Sequence, residues 1–203
     1  EQIRLARRGL ENLGMSGDVF FHSDPEKNRY AVPGDSFDLV FSDNVIEHVS
    51  DLGGLIEEIR RITKPGGVGV HIFPSKWAVV EPHVRMPLIH WLPKSRSIRL
   101  PLIRFAMASG FDPAWVENRD KKVHEAAEEY FQYLQDHTYY RPIWEILKSF
   151  ESRGFECHTS NTDEAIISKP LFQHFSTLPG PARLFGLMSL LFHTTVLRTI
   201  KTP

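Results

Sequence analysis

The sequence predicts an α/β protein, on the strength of three successive stretches. Phe37 to Phe41 is a short apolar run with Asp38 near its start, the pattern of a strand buried on both faces of a parallel sheet. Leu52, Leu55, Ile56, Ile59 and Ile62 then recur at helical spacing, with Glu57, Glu58, Arg60 and Arg61 turned outward. Lys64-Pro65-Gly66-Gly67 ends that helix, because proline disfavours helical backbone at the residue before it and glycine accepts positive φ. Val68 to Phe73 is the next strand. A right-handed crossover makes the two strands parallel neighbours in one sheet.

The order FDLVFSDNVIEHV, helix, ITKPGG and β-branched strand resembles the second half of a class I, Rossmann-like S-adenosylmethionine-dependent methyltransferase of the type 11 group. Glu1 to Gly14 resembles the helix after that family's second strand, and Asp18 to Asp24 its third strand and following turn. The resemblance implies a partial Rossmann-like methyltransferase sheet, strands 3 to 7 of the family order 3-2-1-4-5-7-6 with the seventh antiparallel, and S-adenosyl-L-methionine as cofactor. The family's glycine-rich loop precedes the first of these helices, and no G-x-G pattern occurs in this chain before Gly67. An N-terminally truncated domain that binds the cofactor poorly is therefore expected.

Composition bounds the rest. At 203 residues, 41% hydrophobic and 24% charged, the chain suits a globular domain with a sizeable core and no disordered or fibrous class. A formal net charge of -1 gives no global reason to expect nucleic acid. The one cysteine, Cys157, excludes an internal disulfide and fits a reducing, cytoplasmic compartment; no motif around it supports a nucleophile.

In chain order, Ile3, Leu5, Ala6, Leu10 and Leu13 give an amphipathic helix closed by Gly14. Asp18 to His22 reads as a strand and residues 25 to 36 as loop. The resemblance makes Asp24 the acceptor of a hydrogen bond from the cofactor's adenine amino group; on the residues alone it is an Asx turn ahead of Pro25. Ser42, Asp43 and Asn44 end the central strand, where open α/β sheets bind ligands. The resemblance puts cofactor contacts there, while the residue types equally suit a helix N-cap. Glu47 and His48 fall on the first turn of the next helix, and His48 matches a family position near the cofactor.

From Pro74 to Lys122 six prolines exclude a long uninterrupted helix. The segment reads as a lid over the carboxyl edge of the sheet, within an insertion spanning 74–140. It carries nine Lys and Arg against four Asp and Glu, either a solvated face balancing the acidic helix that follows or a surface for an anionic substrate. Methyl transfer is an in-line displacement from a sulfonium, so the enzyme positions the acceptor and, for a hydroxyl, removes its proton. His83 is the candidate general base, Glu81 its orienting partner, and His90 with Trp91 the lining of the acceptor pocket. By residue type Glu81, His83 and His90 also make a metal set, but the intervening prolines keep them off one helical face and no metal is assigned.

Val123 to Asp136 reads as a helix with Val123, Ala127, Tyr130, Phe131 and Leu134 inward. Tyr139, Tyr140 and Arg141 lie where either substrate contact or packing suits them. Ile143 to Arg153 is a further helix closed by Gly154. Phe155 to Thr159 and Ala165 to Ser168 read as a closing hairpin. The tail between Arg183 and Arg198 is apolar enough for a helix of about 21 Å, short of the ~30 Å of a hydrocarbon core. It is expected to dock on the domain or lie peripherally in a membrane interface. The chain thus divides into a methyltransferase domain over 1–170 and a C-terminal helical extension over 171–203. Its expected function is O-methylation of a small-molecule, glycan or lipid intermediate; the alternative is a non-catalytic binding or scaffolding domain on the same half-fold.

Overall fold

The computed structural model describes Asn12 and residues 23–24, 29–30, 32–110, 121–160 and 194–203. Strand β1 (Ser23–Asp24) pairs antiparallel with β2 (Arg29–Tyr30) in a two-stranded ribbon. The main sheet has the order β3-β4-β6-β5, formed by Phe37–Asp43, Thr63–Pro74, Thr194–Lys201 and Phe155–Ser160. β3 runs parallel to β4, and β6 runs antiparallel to both β4 and β5. The β3–β4 crossover is helix α1 (Leu52–Ile62), whose N-cap Asp51 accepts from Gly54 N at 2.9 Å. The β3–β4 ladder shifts between Phe37↔Thr63 and Leu39↔Val68, so the Lys64-Pro65-Gly66-Gly67 segment loops out, with Gly66 at φ 75°.

Helices α2 (Arg96–Ala108) and α3 (Val123–Asp136) pack on each other in the stretch expected as a lid, and α4 (Ile143–Glu151) returns the chain to the sheet. Two cores result. Ile46, Ile56, Ile59, Phe73, Phe150 and Leu197 pack α1 and α4 with the sheet, while Val84, Met86, Leu100, Ile103, Tyr130 and Leu134 pack the lid on itself.

The expected pairing of Phe37–Phe41 with Val68–Phe73, parallel and through a helical crossover, is present. Several other expectations are corrected. β3 is not buried on both faces: Leu39 is 59% and Phe41 60% exposed, on the one face that alternate residues share. The strand beside β4 is Thr194–Lys201, so this part of the tail is strand and not helix. Its Thr-Thr-Val-Leu-Arg-Thr-Ile run is rich in β-branched residues and buries alternate positions, which a pleated strand accommodates better than a helix. Residues 165–168 and 183–193 lie outside the described residues, as do Asp18 to His22 and the first helix. Arg29–Tyr30 is strand rather than loop.

On α1, Glu58 faces inward: it accepts from Tyr30 N at 2.7 Å and from Arg61 Nη2 at 2.6 Å, tying the ribbon to the helix. Val123 is exposed on α3 and Ala126 takes the inward place. α2 holds thirteen residues despite Pro101 within it. The lid's basic residues are met by α3: Arg96 pairs with Glu128 at 2.5 Å and Lys121 with Glu129 at 2.6 Å, the charge-balancing arrangement. Among the described residues no helix is long and apolar enough to cross a membrane.

Candidate active site

Two ends of chain meet where β3 stops. Asn44 takes a left-handed φ of 52° and donates its backbone N–H to Ile72 O at 2.8 Å, which turns the chain sharply off the sheet. A single 3-10 turn, Ile46–His48, follows and places Glu47 inward. His48 therefore sits on this turn and not on α1, and Ser42 to Asn44 cap no helix, since Asp51 has that role. Ser42 Oγ instead lies 2.8 Å from His71 Nδ1, and Asn44 Nδ2 donates to Asp43 Oδ1 at 2.9 Å.

From the lid, Glu81 is wholly buried and is held by three donors. Val84 N–H donates to Oε2 at 2.6 Å, while Tyr140 OH at 2.5 Å and His83 Nδ1 at 2.7 Å reach Oε1. Burial raises the carboxyl's pKa, but those three contacts outweigh it and leave Glu81 below the usual carboxylate value. An ionised Glu81 only accepts, so His83 carries its proton on Nδ1 and turns Nε2 inward. That Nε2 lies 4.0 Å from Glu47 Oε1.

Glu47 is the second carboxylate, 2% exposed, and neither of its oxygens accepts a hydrogen bond among the described residues. Burial pushes its pKa up, with His48 and His83 pulling the other way. The imidazole of His48 stands 4.7 Å from that of His83, and its Nε2 is 3.8 Å from Glu47 Oε1. Its Nδ1 faces His137 O at 2.5 Å and so must donate. Tyr140 OH also stands 3.1 Å from His83 Nδ1, and its pKa is driven upward by burial and by Glu81, which keeps it a donor. Two carboxylates with opposite shifts thus flank one imidazole, the pattern that separates an acid–base pair into distinct roles.

The sequence-based candidates divide accordingly. Glu81, His83 and His48 are brought together; Ser42, Asp43 and Asn44 lie at the other end of the Asn44–His48 turn, where Ser42 and Asp43 help line a cavity of 440 Å³ floored by Val40, Leu55 and Ile59. His90 is enclosed: it is 6% exposed, its Nε2 is 3.1 Å from Lys76 O, and burial lowers its pKa to about 4. Trp91 donates Nε1–H to Ala78 O at 3.0 Å. Asp24 is placed on β1 by its backbone alone. The Cys157 thiol has its pKa raised to about 11 by burial, the opposite of an activated nucleophile. Glu47 was missed as a site residue, and Tyr140, read as either a substrate contact or a packing residue, was not placed on Glu81. A Glu next to a His after a strand end, and a Tyr pair before Arg-Pro, were the available signals.

Residues 1–70 match a family model described as a methyltransferase domain. A comparison with curated proteins found no match. Solved structures of similar shape include a Haemonchus contortus phosphoethanolamine N-methyltransferase in complex with S-adenosyl-L-methionine, at 16% identity and TM-score 0.41, covering 86% of this chain and 35% of that one. An S-adenosylmethionine-dependent methyltransferase from Mesorhizobium loti is similar at 15% identity and TM-score 0.44, over 84% of this chain and 64% of that one. The YcgJ protein of Bacillus subtilis is similar at 15% identity and TM-score 0.48, over 99% of this chain and 78% of that one. The chain thus spans roughly one third to two thirds of the length of the first solved structures it resembles. The strand, turn and crossover that position Ser42 to His48 all fall within the matched segment, or end just beyond it. The match to the methyltransferase-domain model thus covers residues 1–70 of the 203.

Proposed function

We propose that the protein transfers the methyl group of S-adenosylmethionine to an oxygen of a small-molecule, glycan or lipid acceptor, with His83 as the general base. The observation that supports this most is the Glu81–His83 contact at 2.7 Å, which fixes the imidazole tautomer and aims Nε2 toward the turn after β3. Ser42, Asp43 and Asn44 serve as the cofactor's contacts beside the 440 Å³ cavity. Asp24 is the further cofactor contact the family resemblance suggests.

In this reading the acceptor oxygen attacks the methyl carbon as the carbon–sulfur bond breaks, and the electron pair of that bond stays on sulfur. The sulfonium becomes a neutral sulfide and the hydroxyl proton passes to His83 Nε2. Glu81, ionised and fully buried, stabilises the resulting imidazolium through its bond to Nδ1–H. Tyr140 holds Glu81 in place by donating to the same oxygen.

The test is transfer of labelled methyl from S-adenosylmethionine into a panel of hydroxylated acceptors. His83→Ala should lower turnover by about a hundredfold or more, with S-adenosylhomocysteine binding little changed. Turnover near the unsubstituted level would remove His83 from the chemistry.

A further inference from the structure

The cluster made by Glu47, His48 and His83 has a second capability that proton transfer does not require. One ligand atom from each of the three lies within 4.8 Å of the other two. Each histidine is held from behind: Glu81 Oε1 takes the Nδ1 of His83 at 2.7 Å, and His137 O takes the Nδ1 of His48 at 2.5 Å. Both rings therefore turn Nε2 toward the same carboxylate, at 4.0 and 3.8 Å. A carboxylate or carbonyl behind each ligating imidazole is the outer-shell arrangement that metal-binding histidines use to fix their tautomer.

The carboxylate supplies an independent sign. Glu47 is 2% exposed and both its oxygens lack a hydrogen-bond donor among the described residues. A buried carboxylate without donors is costly, and a cation between it and two imidazoles removes the cost. Metal–nitrogen and metal–oxygen bonds of about 2.0–2.2 Å put tetrahedral ligand atoms roughly 3.4 Å apart, so each histidine–carboxylate separation needs to contract by only about half an ångström, and the two imidazole nitrogens already lie within 4.8 Å of each other. Entry is from the His48 side, where a cavity of 330 Å³ is lined by Tyr30, Val45, His48 and Ser50.

We propose that Glu47, His48 and His83 form a binding site for a divalent transition metal of the Zn2+ class. Two imidazoles and one carboxylate leave a fourth position open, and they select such an ion over Mg2+, which prefers an all-oxygen shell. The site stands on its own geometry and does not rest on the methyl-transfer reading. Where that reading also holds, the metal and the acceptor's proton compete for the same Nε2 of His83.

The experiment is Zn2+ titration by calorimetry of the full chain, beside thermal melts with and without Zn2+, for the unsubstituted protein and four variants. One Zn2+ should bind per chain at this site and raise Tm, as any ligand of the native state does. Glu47→Gln and His48→Ala should each abolish that site and the Tm increase, while keeping a cooperative melt without metal. Glu81→Gln, which touches no ligand atom of Glu47 or His48, should weaken binding by about 10- to 100-fold through His83. His158→Ala, at an exposed histidine on β5, should leave it unchanged. Zn2+ binding and Tm shifts that survive Glu47→Gln or His48→Ala would overturn the proposal, as would equal stabilisation by Mg2+. Because no step is read through activity, failure here leaves the methyl-transfer test standing, and the reverse also holds.

Discussion

Acid should destabilise this fold through a histidine that takes no part in the proposed chemistry. His71 is wholly buried in the middle of β4, its Nδ1 is 2.8 Å from Ser42 Oγ and its ring is 5.1 Å from that of Phe150. Burial lowers its pKa from 6.5 to about 4. The folded value lies below the unfolded one, so the unfolded chain takes up the proton first. The stability tied to neutral His71 is thus present above pH 6.5 and is lost as pH falls toward about 4. Each tenfold difference in proton affinity between the folded and unfolded chain is worth about 1.36 kcal/mol, so the gap amounts to about 3 kcal/mol when fully expressed and about 2 kcal/mol at pH 5. His71→Asn removes the titrating group and keeps a polar partner for Ser42. Urea unfolding at pH 7 and pH 5 should show the unsubstituted protein losing about 2 kcal/mol more than the variant over that interval. Carboxylates and His90 titrate in both proteins and cancel in the difference. An equal loss in the two proteins would refute the reasoning.

Three further outcomes follow from the packing. Gly69→Ala should destabilise by about 1–3 kcal/mol in the same urea assay, because a Cβ there would collide with Thr199 Oγ1 and lie 2.7 Å from His71 Nε2. Glu58→Ala should cost about 1–3 kcal/mol and speed amide exchange at Tyr30, since it removes the acceptor of Tyr30 N–H and of the Arg61 guanidinium; exchange unchanged at Tyr30 would show that the ribbon is held otherwise. Leu39→Lys should reduce light scattering at high protein concentration without lowering urea stability, because Leu39 is 59% exposed on a strand with one described neighbour.

The strand–helix–strand unit was legible because each of its signals is local. The apolar spacing of Leu52 to Ile62, Asp51 ahead of it and Pro65-Gly66 behind it all act within a few residues. The β6 strand was not legible for the opposite reason. Its partner β4 lies more than a hundred residues earlier, and the leucine- and phenylalanine-rich stretch before Thr194 carries helical periodicity into a run whose β-branched residues favour the sheet. The site shows the same division. Glu81 and His83, two residues apart in a proline-rich loop, could be paired from sequence, and they do pair. Glu47 and Tyr140 could not, since the sequence does not reveal that a 3-10 turn buries Glu47 or that the chain returns after α3 to lay Tyr140 on Glu81. His90, expected from sequence to line a pocket with Trp91, is enclosed against Lys76 O, and burial keeps it neutral.

The central claim places the cofactor at the carboxyl end of β3, between the apolar cavity and the Glu47–His48–His83 cluster. Backbone amide chemical shifts of the chain during titration with S-adenosylhomocysteine test it most directly, because they register weak as well as tight binding. The account predicts shifts concentrated over Ser42 to His48 and at Val40, with smaller ones at His83. Shifts confined to β5 and β6, or none at saturating ligand, would contradict it.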